Sequence, residues 1–397
     1  MISIYPFGDE YFAMTEFPVI HRINPKDLTT EERIDLKGKL GVVNHTAHPH
    51  VLPDGTVYNL GTYISKTGPK YCIIEFAKTE GTGAAFPAGG SMFDQARMVA
   101  SVPTRWKLHP GYMHTFGMTE NYFVIVEQPL SVSVTAVVTN TLLDRPLAES
   151  LKWYPEEKTI IYLICRKSGR VCRTFHAESF FYLHIINQYE EDDHVVLDIC
   201  CYKNPSMINC MYIDALKEGY KNPNYASMFR GRPLRFVLPI NPTKSEAHRI
   251  HNGRIFVKPE LLCTLGCETP QIHYEKYSGR KYRYFYAISS DVDLENPGTL
   301  IKVDVRNKTR MTWCDDNIFP SEPIFVPRPD SAAEDDGVVL SALVWGRGME
   351  NRVGLLILDA HTWTEIGRAV FTTDGPVPKC LHGWFVNGSK FTDDHAS

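Results

Sequence analysis

Short strand-forming runs separated by turn residues dominate this sequence from one end to the other. Each run is rich in β-branched or aromatic residues and is bounded by Gly, Pro, Asn or Asp, as in KYCIIEFAK, TIIYLICRK, VVLDICCY and LLILDA. Such runs are typical of β-strands. Helical periodicity is clear only around residues 212–220 and is weaker around residues 94–101. The sequence therefore predicts an all-β fold with short helices in its loops.

One hairpin pattern recurs along the chain and favours a particular all-β architecture. An apolar strand ends at an Asx or basic turn and a second strand returns, in VIHRINPKDLTTEERIDL, IIYLICRKSGRVCRTFHA, LIKVDVRNKTRMTWCDD and LLILDAHTWTEIGRAVF. Such repeats favour a β-propeller, because each blade buries its faces only against neighbouring blades. A pair of β-sandwiches is the alternative, but no Pro/Gly/Ser-rich linker separates two domains. We therefore expect a single domain over residues 1–397.

Charge and cysteine content exclude several classes of protein. A formal net charge of -4 and a pI near 6.4 argue against a nucleic-acid-binding protein, which needs a positively charged surface. The 10 cysteines are spread thinly and no signal peptide precedes them, which suggests a reducing cytoplasm. No stretch reaches the ~18 to 20 apolar residues that span a bilayer. We expect a cytoplasmic protein, soluble or peripheral to a membrane, without an obligate protein partner.

The 15 histidines are candidates for metal ligands, although none of them forms a compact metal motif. Several lie in the polar-aromatic segments HTAHPHVLPDGTVYN, HPGYMHTFG, FHAESFFYLHIIN and LHGWF. In a propeller, strands nearest the axis come from different blades, so ligands far apart in sequence converge there. Four neutral imidazoles suit ferrous iron and leave coordination positions open for oxygen and substrate. Spacing alone does not choose His48 over His50.

The order of these motifs resembles that of the carotenoid cleavage oxygenase family, and its animal branch fits best. The resemblance covers essentially the whole chain, through YFAMTE, TAHPH, DGTVYN, YMHTFGMTENYFV, LHIINQYE, ETPQIHYEKY, FPSEPIFV, DDGVVLS and LHGWF. It implies an all-β fold that is a seven-bladed β-propeller, with short helices and loops capping an iron-bearing face. Family members carry a longer segment before the first motif. Its absence here predicts that N-terminal strands are missing and that sheet edges are left open.

The resemblance also implies a set of residues around an Fe(2+) cofactor. The implied iron ligands are His48, His114, His184 and His382. Each of three glutamates would accept the outer ring N–H of one ligand and fix its tautomer, namely Glu16, Glu268 and Glu322. His48 is expected to lack such a carboxylate. A surface or turn position is the alternative for the glutamates, although Glu322 lies between two prolines beside an apolar strand, an unusual place for a solvated charge.

Further residues are expected to contact the substrate. The resemblance places Thr15, beside Glu16, near the reacting polyene, where its hydroxyl could steady a cationic or radical intermediate. Four aromatic residues flank the motifs and are candidates for the wall of a substrate tunnel, with core packing as the alternative for each. They are Tyr112, Phe181, Tyr202 and Trp384.

The implied activity is oxidative cleavage of a carotenoid. Molecular oxygen and Fe(2+) would split the central 15,15′ double bond of β-carotene or zeaxanthin into retinal-type aldehydes. One half would be isomerised to an 11-cis retinoid for visual pigment. A retinoid isomerohydrolase, an eccentric-cleaving enzyme and a non-catalytic carotenoid- or lipid-binding propeller are the alternatives.

Because a carotenoid dissolves in membranes, the tunnel mouth is expected to touch a bilayer. The uncharged run at residues 128–143 is followed by Arg145, Lys152 and Trp153 and resembles an interfacial patch. A buried strand plus loop is the alternative for this run. A second candidate patch lies at residues 98–106, where flanking Arg and Lys side chains could snorkel.

Overall fold

The computed structural model describes residues 2–78, 91–242, 250–251 and 254–387. Within these residues, strands form six sheets of four to six strands and one separate two-stranded hairpin. In the two sheets nearest the N-terminus, all neighbouring strands are antiparallel, as expected for strands joined by short turns. Each of the six larger sheets is one blade of a propeller, and the blades are numbered here in chain order.

The first three blades begin before residue 180, although two short strands of blade 3 come from later in the chain. Blade 1 contains β1 (Ser3–Phe7), β2 (Glu10–Met14), β3 (Val19–Ile23) and β4 (Thr30–Asp35). Blade 2 contains β5 (Val42–His45), β6 (His50–Val51), β7 (Val57–Ser65), β8 (Gly68–Phe76) and β9 (Arg97–Pro103). Blade 3 contains β10 (Gly117–Met118), β11 (Tyr122–Glu127), β14 (Thr159–Cys165), β15 (Val171–Ala177), β19 (Ile250–His251) and β20 (Arg254–Phe256). The separate hairpin is β12 (Leu130–Val132) and β13 (Leu151–Trp153).

The last three blades complete the described part of the sheet structure. Blade 4 contains β16 (Phe181–Glu191), β17 (His194–Tyr202), β18 (Arg232–Pro239) and β21 (Glu260–Leu261). Blade 5 contains β22 (Glu268–Gln271), β23 (Tyr284–Ile288), β24 (Leu300–Asp304) and β25 (Thr309–Trp313). Blade 6 contains β26 (Ile318–Pro320), β27 (Ile324–Pro327), β28 (Gly337–Trp345), β29 (Arg352–Asp359) and β30 (Glu365–Thr372).

The helices are short and lie in the connections between strands. They are α1 (Leu36–Leu40), α2 (Val134–Leu142), α3 (Ile213–Glu218), α4 (Tyr225–Met228) and α5 (Tyr274–Tyr277), with 3-10 turns at Leu147–Ser150, Pro205–Met211 and Gly219–Lys221. The helix predicted at residues 212–220 corresponds to α3 and the 3-10 turn after it. The weaker expectation of a helix at residues 94–101 is wrong. Strand β9 occupies that region, and its alternate residues Ala100 and Val102 are buried, as strand geometry requires.

Five buried apolar clusters fill the spaces between consecutive blades. Between blades 3 and 4, for example, Phe175 and Val124 meet Leu197 and Phe236, and all four are fully buried. Burying one such large side chain stabilises the fold by about 1.5 to 3 kcal/mol. Packing of blade against blade therefore fixes the strands from which the site residues project.

The prediction of an all-β propeller is confirmed, but the prediction of seven blades is wrong for the described residues, which form six. The four hairpin repeats found in the sequence are neighbouring strands of blades 1, 3, 5 and 6. A local repeat identifies such hairpins but does not count blades. The count depends on pairings such as β15 with β20, which are far apart in sequence.

Candidate metal centre

Four histidines from different parts of the propeller converge on one point. His48 lies between β5 and β6 of blade 2, and His114 lies just before β10 of blade 3. His184 is on β16 of blade 4, and His382 follows β30, the last strand of blade 6. The fold therefore brings together residues that are widely separated in the sequence.

The rings of these histidines are in close contact with one another. The ring centroid of His48 lies 4.7 Å from that of His114, 5.1 Å from that of His184 and 4.6 Å from that of His382. The centroid of His184 lies 5.0 Å from that of His114 and 5.1 Å from that of His382. The potential ligand atoms of His48, His184 and His382 all lie within 4.8 Å of one another. A single ion could contact all of these rings.

The nitrogen atoms that face this point identify what kind of group would fit it. In each of the four rings Nε2 is buried and has no hydrogen-bond partner among the described residues. A buried polar atom without a partner is costly and calls for an explanation such as a bound ion. Neutral imidazole nitrogens are ligands for iron and other divalent transition metals. The donor set therefore fits a ferrous ion.

The outer nitrogen of His114 is held by a carboxylate from blade 1. Glu16 Oε1 lies 2.6 Å from His114 Nδ1. The same oxygen accepts a hydrogen bond from the Tyr112 hydroxyl at 2.6 Å. With Nδ1–H donating to Glu16, the His114 ring presents the lone pair of Nε2 towards the other three histidines.

Two other histidines have carboxylates in the same position. Glu268 Oε2 lies 2.5 Å from His184 Nδ1 and also accepts the backbone N–H of Thr269 at 2.8 Å. Glu322 Oε1 lies 2.9 Å from His382 Nδ1. The other oxygen of Glu322 accepts the backbone N–H of Gly383 at 3.0 Å, which ties the carboxylate to the segment that carries the histidine. These bonds fix the tautomer and the orientation of both rings.

Burial keeps two of the four histidines, His48 and His114, in the neutral form. Burial, followed by the neighbouring histidines, places the pKa of His48 well below its ordinary value. Burial lowers the pKa of His114 to about 4, against the opposing effect of Glu16. For His184, burial is the largest single effect and lowers the pKa, but the Glu268, Glu322 and Glu16 carboxylates together raise it by more, so its net shift is upward. Neutral His48 and His114 are the forms that bind metals.

A cavity whose wall is mainly apolar and includes several aromatic rings opens beside the histidine cluster. His48, His184 and His382 form part of its lining. Aromatic side chains from β1, from the segment before β10, from α5, from β27 and from the segment after His382 surround it: Tyr5, Phe116, Tyr274, Phe325, Trp384 and Phe385. Such a wall suits an extended apolar ligand better than a polar one.

The predicted tunnel residues have different surroundings. Trp384 lines the cavity, whereas Tyr112, Phe181 and Tyr202 are not part of its lining. Tyr112 instead contacts Glu16 and stacks on His114. Phe181 and Tyr202 belong to a separate buried cluster, where their rings lie 5.7 Å apart. The hydrophobic packing of that cluster holds both rings in place.

The surroundings of Thr15 and His50 can also be compared with the expectations from the sequence. Thr15 is partly buried beside Glu16, and its hydroxyl oxygen accepts the backbone N–H of Phe17 at 3.1 Å. His50 has partners at both ring nitrogens, the Tyr274 hydroxyl at 3.2 Å and the Phe116 carbonyl at 2.9 Å. His50 is therefore a satisfied neighbour of the cluster, a distinction from His48 that sequence spacing does not make.

Comparisons with known proteins show what the chain is similar to. A family described as retinal pigment epithelial membrane protein matches residues 1–387. The carotenoid isomerooxygenase of Drosophila melanogaster is 49% identical over 464 residues, covering 97% of this chain and 73% of that protein. The carotenoid isomerooxygenase of Galleria mellonella is 53% identical over 388 residues, covering 97% and 72%.

A more distant relative and a solved structure also match the chain. The beta,beta-carotene 15,15'-dioxygenase of Gallus gallus is 34% identical over 403 residues, covering 97% of this chain and 74% of that protein. The crystal structure of cobalt-substituted Synechocystis ACO matches with a TM-score of 0.71 and 24% identity, covering 96% of this chain and 73% of that one. The likeness to that structure concerns the fold.

Proposed function

Because this chain belongs to the retinal pigment epithelial membrane protein family, which also contains its carotenoid oxygenase relatives, we propose that it is an iron-dependent carotenoid cleavage dioxygenase. The observation that carries the proposal is the set of four buried Nε2 atoms without partners beside a cavity lined by aromatic rings. A zinc hydrolase would ordinarily use fewer imidazoles and a more polar cavity.

Three groups of residues would have different roles in this reaction. The four ligands would be His48, His114, His184 and His382, with no carboxylate among them. Ferrous iron, when bound, would supply the centre at which molecular oxygen is activated next to the polyene. The carboxylates behind the rings accept Nδ1–H and so keep each Nε2 lone pair free for the metal. The aromatic wall excludes water from the reacting double bond.

The proposed substrate is a carotenoid such as β-carotene or zeaxanthin, cleaved at its central 15,15′ double bond to retinal-type aldehydes. The polyene has no polar group near that bond, so its position in the cavity must come from shape and from contact with rings such as Tyr274 and Trp384. The names of the insect relatives support a coupled isomerisation of one product half, which would give an 11-cis retinoid for visual pigment.

Oxygen uptake tests this function directly. Purified protein loaded with ferrous iron is expected to consume oxygen and β-carotene in equimolar amounts and to release retinal-type aldehydes, with a cis isomer among them. Chromatography of the products and an oxygen electrode measure both quantities. Turnover of a retinyl ester without oxygen would instead favour an isomerohydrolase, and carotenoid binding without turnover would favour a carrier.

We also propose that helix α2 and its surroundings contact a lipid surface. Residues 134–142 form an exposed helix rather than a buried strand, and Val138 and Leu142 are 56% and 80% exposed. Ile213 of α3 is 69% exposed. The other candidate patch, at residues 98–106, offers less apolar surface, because β9 buries Ala100 and Val102 there. Within the described residues, none of the helices is long and apolar enough to cross a bilayer.

Vesicle binding tests the contact with lipid. Replacing both Val138 and Leu142 by serine is expected to weaken binding to phosphatidylcholine vesicles at least about tenfold, since burying one such side chain contributes about 1.5 to 3 kcal/mol. Co-sedimentation measures the bound fraction. Leu28→Ser is the matched control, because Leu28 is 72% exposed on the turn between β3 and β4. Equal weakening by the control would contradict a specific role for α2.

A further inference from the structure

The histidine cluster is asymmetric in the groups that hold its outer nitrogens. The Nδ1 atoms of His114, His184 and His382 face carboxylates. The Nδ1 atom of His48 faces a phenol, with the hydroxyl oxygen of Tyr5 at 3.4 Å. Tyr5 comes from β1, in front of the motif that supplies Glu16, and the motifs in the sequence do not predict this contact.

The tautomer of His48 follows from its two ring nitrogens. Its Nε2 is buried without a partner and lies among the Nε2 atoms of the other rings, so the lone pair must be on that side for the ring to bind a metal. The proton is then on Nδ1, and this N–H donates a hydrogen bond to the hydroxyl oxygen of Tyr5. A phenol, with an ordinary pKa of about 10, is neutral at physiological pH, so Tyr5 can take part in this hydrogen bond without carrying a charge.

Packing holds the Tyr5 ring in this place. Its ring is perpendicular to that of His48, with centroids 6.3 Å apart and an interplanar angle of 87°. On its other side it contacts Trp384, with centroids 5.2 Å apart. Trp384 is two positions after His382, so Tyr5 joins blade 1 to the segment that supplies another ring of the cluster. The backbone of Tyr5 is fixed by pairing with Phe12 of β2.

We propose that Tyr5 is the positioning residue of His48, a neutral hydrogen-bond acceptor that fixes the tautomer and orientation of this ring. A fourth carboxylate here would bury another negative charge beside Glu322, and burying charge is costly unless it is fully paired. The phenol orients His48 without adding that charge. The inference rests on the proposed metal site.

The test uses metal binding rather than turnover. Tyr5→Phe keeps the ring contacts with His48 and Trp384 but removes the hydroxyl. We expect the dissociation constant for Co(II), measured by calorimetry on the metal-free full chain, to rise roughly tenfold. This is the lower end of the effect expected when a metal-ligating histidine loses the residue that hydrogen-bonds its outer nitrogen. The visible absorption bands of the Co(II) protein should also shift, because the orientation of one ligand changes. The thermal midpoint of the metal-free protein should stay within about 2 °C of the wild type.

Tyr58→Phe is the matched control. Tyr58 also has a buried hydroxyl in a hydrogen bond, which it donates to Glu75 at 2.7 Å in blade 2, and it does not contact a histidine of the cluster. It should leave the Co(II) affinity and spectrum unchanged. If Tyr5→Phe binds Co(II) like the wild type with the same spectrum, or if Tyr58→Phe changes both equally, the role of Tyr5 is refuted while the metal site stands. If the wild type itself binds neither Co(II) nor Fe(II), the proposed function and this inference both fail.

Discussion

Replacing His184 by alanine is expected to remove tightly bound iron and to abolish carotenoid cleavage. His184 is 6% exposed, and its ring centroid lies 5.1 Å from that of His48, 5.0 Å from that of His114 and 5.1 Å from that of His382. Alanine would therefore remove one of the four proposed Nε2 ligands and leave the other three in place. The loss of iron affinity should exceed the ~10- to 100-fold loss expected when a residue that only hydrogen-bonds a metal ligand is removed. Metal analysis of the purified chain and oxygen uptake with β-carotene measure the two effects.

His109→Ala is the control for this experiment. His109 is partly buried and contacts Tyr154, with the tyrosine oxygen 3.4 Å from Nδ1, but it is outside the histidine cluster. This variant should keep an equimolar iron content and its activity. Full iron content in His184→Ala, or zinc in place of iron in the wild type, would contradict the proposed ligand set.

Replacing Glu268 or Glu322 by glutamine is expected to lower iron affinity or turnover by about 10- to 100-fold while leaving the fold intact. Glutamine has nearly the same shape as glutamate, so the packing is kept. The amide is neutral, however, and it holds the ring N–H less strongly than a carboxylate does. Iron retention during dialysis against a chelator and steady-state turnover measure the effect, and circular dichroism reports the fold.

Glu190→Gln is a matched control on the same strand as His184. The Glu190 carboxylate accepts hydrogen bonds from Thr119 at 2.6 Å and from the Asn121 backbone at 2.8 Å, and it contacts no candidate ligand. Its replacement should leave iron retention unchanged. Wild-type retention and activity in both Glu268→Gln and Glu322→Gln would refute the supporting role of the carboxylates.

The strand content of this protein could be predicted from its sequence. The run VVLDICCY lies within β17, and TIIYLIC is β14, because alternating or continuous β-branched residues favour the extended conformation wherever they pack. The hairpin repeats also correspond to real strand pairs, such as β24 with β25. These features are local, and neighbouring residues in the sequence are sufficient to specify them.

The candidate site was only partly predictable. The order of motifs led to His48, His114, His184 and His382 through resemblance to a family, and the fold then brings these rings into contact. The aromatic residues were harder to place. Trp384 lines the cavity, but Tyr112 supports Glu16 instead, a difference that depends on the direction of a single side chain.

Only the tertiary structure decided the blade count, the distinction between His48 and His50, and the contact between Tyr5 and His48. Each of these depends on residues from different blades, and their distances are set by the packing of whole sheets against one another. Periodicity in the sequence records which face of a strand is buried. It does not record which strand lies opposite, because the hydrophobic effect that joins two blades is proportional to buried area and does not depend on direction.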